Sequence, residues 1–228
     1  MNIDRNDLIN SIMESLEQIE FIKSEDLPEI ELYMDQVTTF MDSRLRSTTR
    51  NPQEDKILTK TMINNYAKND LLPSPEKKKY SKEHLLVLSL IYYLKGIMNF
   101  NDIDVLLKPI TEKYFNKDKG FSLEDFYNEL YEVELKQKDA AKQDILDKYE
   151  FAKEAFEDAP EKDRSYLKLF CFISLLGYDV YVKKLLIEKI IDAYRDDIEK
   201  MTEVSSKKAK EPKSKEPKDV KSKNKEKK

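Results

Sequence analysis

Apolar positions recur at helical spacing along most of the chain, and the elements they predict are nearly all helices. Leu8, Ile9, Ile12, Met13, Leu16 and Ile19 line one face of a segment from Asp4 to Ile22. Asp26-Leu27-Pro28 stops that segment and starts the next, with proline in a first-turn position. A second helix is predicted from about Glu29 to Arg46, burying Leu32, Tyr33, Val37, Phe40, Met41 and Leu45. Ser47 to Lys56 is polar, contains a proline and is predicted to be a loop.

The stretch from Thr59 to Leu94 has the most distinctive pattern. Thr59 is a predicted N-cap, because its hydroxyl can accept a free amide of the first turn. The helix it opens, Lys60 to about Asn69, turns Met62, Ile63 and Tyr66 inward. Lys60, Thr61, Asn64, Asn65 and Lys68 fall on its outer face. That face suits hydrogen bonds to base edges and phosphates, and equally an ordinary hydrated surface. Leu71-Leu72-Pro73 ends it. Glu76-Lys77-Lys78-Lys79-Tyr80 is predicted as a tight basic hairpin or loop. Ser81 caps a helix whose residues Leu85 to Leu94 are apolar nearly all round, which places it at the centre of the core. His84, in its first turn, is predicted to be a surface or capping residue.

Gly96 ends that helix, and Phe100 to about Phe115 forms another. Ser122, followed by Glu124 and Asp125, signals the start of a long helix from Leu123 to about Asp158. Leu123, Phe126, Leu130, Ile145, Tyr149, Ala152 and Phe156 are its inner positions. Arg164 to Lys200 is again helical, with a break expected near Gly177. Its apolar content exceeds what one face of one helix can bury, so packing on the long helix or on another subunit is expected. From Ser205 onward the Lys/Pro-rich sequence predicts disorder.

Three glycines in 228 residues argue against turn-rich β structure. The fold class is therefore all-α, with at most a small β wing. One Cys and one His leave no zinc set within one chain, and no disulfide. There is no glycine-rich phosphate loop and no Cys/His cluster, so neither an enzyme nor a bound cofactor is expected. With no signal-like start and no apolar run long enough to span a bilayer, a cytoplasmic protein is expected and no membrane partner.

The net charge of −4 hides strong segregation. Residues 205–228 hold 11 lysines against 4 acidic residues. Arg44 to His84 holds 10 Lys and Arg against 5 acidic residues, while the rest of the body is strongly acidic. A basic island in an acidic protein is a sign of an anion site; the alternative is a loop and a surface helix that happen to be lysine-rich.

TKTMINNYAKNDLLP, residues 59–73, resembles the second helix of the MerR-type winged helix-turn-helix domain. Lys79-Tyr80-Ser81-Lys82-Glu83-His84-Leu85 resembles the passage closing that family's wing, and residues 99–107 a later turn. Tyr33 to Phe40 would be the first helix. Over most of the chain, the strings YMDQVTTF and TKTMINNYAK are similar to those of the bacterial family called domain of unknown function 1836.

The resemblance implies four regions: an N-terminal helix (1–28), a winged helix-turn-helix domain (29–120), a helical bundle or antiparallel dimerisation region (121–204) and the basic tail (205–228). It implies a dimeric transcription regulator on double-stranded DNA, with the helix at 60–69 in the major groove. Lys60, Thr61, Asn64 and Asn65 would contact the groove and Tyr66 a phosphate, with Lys68 beside them. Lys77, Lys78, Lys79 and Tyr80 would form the wing contacts. MerR-type domains usually carry arginines where this chain has Thr61 and Asn64; Arg44, Arg46, Arg50 and Lys56, in the long connecting loop from Ser43 to Leu58, would replace that charge. The competing expectation is a helical protein-interaction module with a winged-helix shape. Phe170, Phe172 and Tyr178 are read as core aromatics or as lining for a small-molecule effector.

Overall fold

The computed structural model describes residues 9, 11–14, 22–117 and 119–209, without the side chains of 199 and 201–209. Among these residues the chain is mostly helical, with one two-stranded antiparallel sheet. A 3-10 turn at Ser24–Asp26 leads into β1 (Leu32–Tyr33), then α1 (Met34–Leu45) and a second such turn (Arg46–Thr48). There follow α2 (Lys60–Lys68), β2 (Lys79–Tyr80), α3 (Lys82–Leu94), α4 (Phe100–Tyr114), α5 (Leu123–Glu154) and α6 (Glu161–Ala209).

The helix predicted from Glu29 begins only at Met34. Leu32 and Tyr33 are spent on pairing with Tyr80 and Lys79 in the small sheet. Pro28 therefore starts no helix, and Tyr33, expected to face inward, is exposed. Its amide instead donates to Gln36 Oε1 at 2.9 Å, closing the first turn of α1. Leu32 and Tyr80, directly opposite each other, are both buried and fasten the sheet to the core.

α3 is the centre of that core, with every residue from His84 to Ile91 buried. Around it gathers one cluster that runs from Ile22 to Tyr127 and includes Val37, Met41, Ile63, Leu72 and Leu107. Tyr127 closes it by donating its hydroxyl to the Ile22 carbonyl at 2.6 Å. Burial drives this: each large apolar side chain removed from water stabilises the fold by about 1.5–3 kcal/mol.

α5 starts as predicted, with Ser122 capping it by accepting from the Asp125 amide at 3.1 Å. It ends at Glu154, earlier than the expected Asp158, and Phe156 takes a left-handed φ of 60° in the turn that follows. α6 then returns antiparallel along α5, placing Tyr149 and Phe172 at a centroid distance of 5.2 Å and Lys148 Nζ 3.5 Å from Asp179. Farther along, α6 packs against α4. The expected break at Gly177 does not occur, since one mid-helix glycine costs only about 1 kcal/mol. α6 also passes the predicted tail boundary at Ser205 and continues to Ala209. The rest of the tail and most of the first predicted helix lie outside the described residues, apart from helical residues 9 and 11–14. Among the described residues, no helix is long and apolar enough to cross a membrane.

Candidate nucleic-acid interface

α2 is built from its caps inward. The Met62 amide donates to Thr59 Oγ1 at 3.2 Å, so the predicted cap is in place. At the other end Asp70 adopts φ 58°, and the amides of Leu71 and Leu72 return to the Tyr66 carbonyl at 3.0 and 3.2 Å. Leu71 and Leu72 are both buried, so they pin the C-terminal end of α2 to the core. With Ile63 and Tyr66 facing in, Lys60, Thr61, Asn64, Asn65 and Lys68 form an exposed polar face. Asn64 and Asn65 are both exposed on it.

The basic segment folds into a tight hairpin. Glu76 and Lys79 form an antiparallel bridge, closed by the Lys79 amide donating to the Glu76 carbonyl at 2.8 Å. The two residues at the tip, Lys77 and Lys78, have φ of 49° and 66°. Two successive left-handed residues are the mark of a type I′ turn, a geometry that favours Asn-Gly. Lysine has a Cβ that this geometry penalises, by roughly 1 kcal/mol or more per residue. Both tip side chains are exposed. The hairpin and α2 share a support, since both β2 and α2 pack on α1.

His84 lies beneath the hairpin strand. It is buried rather than on the surface, and it does cap α3: its Nδ1 accepts from the Ser81 amide at 3.0 Å. The ring meets Tyr80 and Phe115 edge to face, at 5.4 and 4.8 Å. Burial depresses its pKa to about 4, and the nearby backbone of Pro73 and Ser74 only partly opposes the shift. Its Nε2 closes no hydrogen bond there.

Several cations of the basic island are already engaged within the chain. Lys60 pairs with Asp35, and Arg44 lies 4.0 Å from Asp26. Lys79 lies 3.6 Å from Glu31 and 5.8 Å from the centre of the Tyr33 ring. Lys82 is held between Glu29 and Glu124, and these carboxylates outweigh the effect of its burial and raise its pKa. Arg50, Lys68, Lys77 and Lys78 have no ion-pair partner among the described residues.

Three predicted contact residues are placed otherwise. Tyr66 is a core aromatic, stacked 6.4 Å from Phe100, and burial raises its pKa. Tyr80 is buried in the small sheet. Arg46 pairs with Asp42 and donates to the carbonyls of Pro52 and Asp55 at 2.6 and 2.7 Å, so it ties down the long loop rather than reaching outward. The pairing acids Asp35 and Glu31 were not singled out from sequence, because their partners are 25 or more positions away. Of the three aromatics considered for an effector site, Phe172 is buried while Phe170 and Tyr178 are exposed.

The architecture is thus that of a mostly helical protein whose compact core carries a two-stranded sheet and a basic hairpin. Residues 22–130 match the family model described as Domain of unknown function (DUF1836). That span coincides with the main core cluster, which begins at Ile22 and ends at Tyr127 with Leu130 packed against it. No curated protein and no solved structure gives a significant match.

Proposed function

We propose that this protein is a sequence-specific regulator that binds double-stranded DNA through α2 and the 76–79 hairpin. The observation that carries the reading is the hairpin tip. Two lysines occupy left-handed positions that Asn-Gly would fill at lower cost, and both are exposed without an ion-pair partner among the described residues. Strain kept at one exposed point suggests that the side chains themselves are wanted there. Lysines so placed would contact phosphate and fix register without selecting sequence. Asn64 and Asn65 on α2 would supply selection, since an asparagine amide can make two hydrogen bonds to an adenine edge. The resemblance to MerR-type winged-helix domains implies a reading helix followed by a basic hairpin, and α2 and the 76–79 hairpin come in that order along the chain. One module offers few base contacts, so specific readers of this kind pair two modules on adjacent half-sites.

A second reading, a helical interaction module without DNA affinity, is favoured by the ion pairs of Lys60, Arg44 and Lys79. Those pairs leave a smaller free positive charge than the sequence count suggests. Selection of bound fragments from a random duplex pool separates the two. The DNA reading predicts enrichment of a motif arranged as two related half-sites, lost in Asn64→Ala/Asn65→Ala. No enrichment above input would favour the interaction module.

A further inference from the structure

A cleft opens between the loop that follows α2 and the C-terminal part of α4. It is lined by Asp70, Pro73, Lys108, Thr111, Glu112 and Phe115 and has a volume of about 430 Å³. Small-molecule sites span roughly 300–1,000 Å³. None of its residues belongs to the hairpin tip or to the aromatic group of Phe170, Phe172 and Tyr178.

Both walls are held from behind. Asp70 takes its left-handed φ of 58° where α2 ends, and the buried Leu71 and Leu72 follow it directly. On the other wall, Lys108, Thr111, Glu112 and Phe115 recur at steps of three and four, so one face of α4 supplies them. Phe115 packs against the buried His84 ring at 4.8 Å, which fixes it as an apolar surface. Thr111 is buried and turns its one hydroxyl proton to the carbonyls of Leu107 and Lys108, at 3.2 and 3.1 Å. Its oxygen can still accept a hydrogen bond.

The charges of the cleft are unspent. Lys60, Lys79 and Lys82 each lie within ion-pair distance of a carboxylate. Asp70, Lys108 and Glu112 form no ion pair among the described residues. Lys108 and Glu112 stand one turn apart on α4, a spacing at which such pairs can close. Desolvation pushes the Glu112 pKa up; Lys108 opposes that shift and Asp104 adds to it. A further positive group is therefore favoured beside Glu112. A phosphate would meet two carboxylates here, and a metal ion would meet the lysine. A molecule with one ammonium and one carboxylate satisfies all three charges.

We propose that this cleft binds a free α-amino acid, its ammonium held by Asp70 and Glu112, its carboxylate by Lys108, and its side chain against Pro73 and Phe115. The inference does not rest on DNA binding: a chain that ignores duplex DNA leaves it standing.

Titration calorimetry of the full chain against each of the twenty standard amino acids, up to 10 mM, tests it. At least one is expected to bind saturably at one per chain. Its decarboxylated amine and its deaminated acid should each bind about tenfold more weakly or worse, since each lacks one charged contact. Lys108→Met should erase the advantage of the amino acid over the amine, and Glu112→Gln should weaken both. Circular dichroism checks that each variant is folded. A readout on the native chain needs no variant: in amide nuclear magnetic resonance spectra, Asp70 and Thr111 should shift with the dissociation constant found by calorimetry. No binding of any amino acid would overturn the proposal, as would an amine that binds as tightly as its amino acid. Binding that leaves the Asp70 and Thr111 amides unmoved, or that both folded variants retain unchanged, would overturn this cleft as the site.

Discussion

Lys77 and Lys78 concentrate the tension between stability and the proposed role at single residues. Their left-handed φ values are unfavourable for lysine, so Lys77→Asn/Lys78→Gly should relax the turn. The variant is expected to be more stable by about 1 kcal/mol, read as a higher denaturation midpoint, and to bind duplex DNA more weakly. Lower stability with unchanged DNA binding would count against the tip on both grounds. His84 gives a second prediction. In the unfolded chain it takes up a proton near pH 6.5, but in the folded chain only near pH 4. The folded state binds fewer protons between these values, so stability is full above pH 6.5 and falls as pH drops toward 4. The loss reaches up to about 3 kcal/mol. His84→Gln keeps an acceptor for the Ser81 amide and should remove this slope in urea titrations at pH 7 and pH 5. The lysine run was legible as charge, but not as a strained turn, because lysine carries no preference for left-handed backbone. Burial of His84 was equally hidden: a lone histidine in a first turn looks the same whether the neighbouring loop covers it or not.

Among the elements, those with long periodic patterns or clear caps followed from local rules. Thr59 and Ser122 cap α2 and α5 as their side chains dictate, and the apolar stretch of α3 is the core centre. β1 was not legible, since two residues are too few to show a period of two, and its pairing with β2 shortens α1. The attachment of α6 to α4 was not legible either. It is fastened by Arg195 donating to Asp102 Oδ1 at 3.1 Å, across 93 positions. Asp102 is buried and also accepts from Asn99 Nδ2 at 2.6 Å, so it joins a helix cap to a long-range contact. Asp102→Ala is expected to cost about 1–3 kcal/mol in chemical denaturation. Measured with Arg195→Ala in a double-mutant cycle, the two losses should be less than additive. Strict additivity would mean that the ion pair does not hold α6 in place.

At the scale of the whole molecule, two kinds of surface remain unsatisfied. One is the polar face of α2 with the hairpin tip, and the other is the set of exposed apolar side chains on α6, such as Phe170, Ile173 and Tyr181. The sequence showed both as composition: a basic island, and more apolar residues than one helix face can bury. It did not show that Asp35, Glu31 and Asp26 neutralise part of the island, nor that α4 and α5 leave many apolar side chains of α6 exposed. Those outcomes depend on which segments meet in space. A DNA-binding role must therefore rest on cations that remain unpaired, chiefly Lys77 and Lys78. Fluorescence anisotropy of a labelled duplex, titrated with the full chain between 50 and 200 mM salt, tests that role most directly. The account predicts affinity that falls steeply with salt, and a logarithmic slope that shrinks by about two units in Lys77→Glu/Lys78→Glu. No binding at 50 mM salt, or the same slope in the variant, would contradict it.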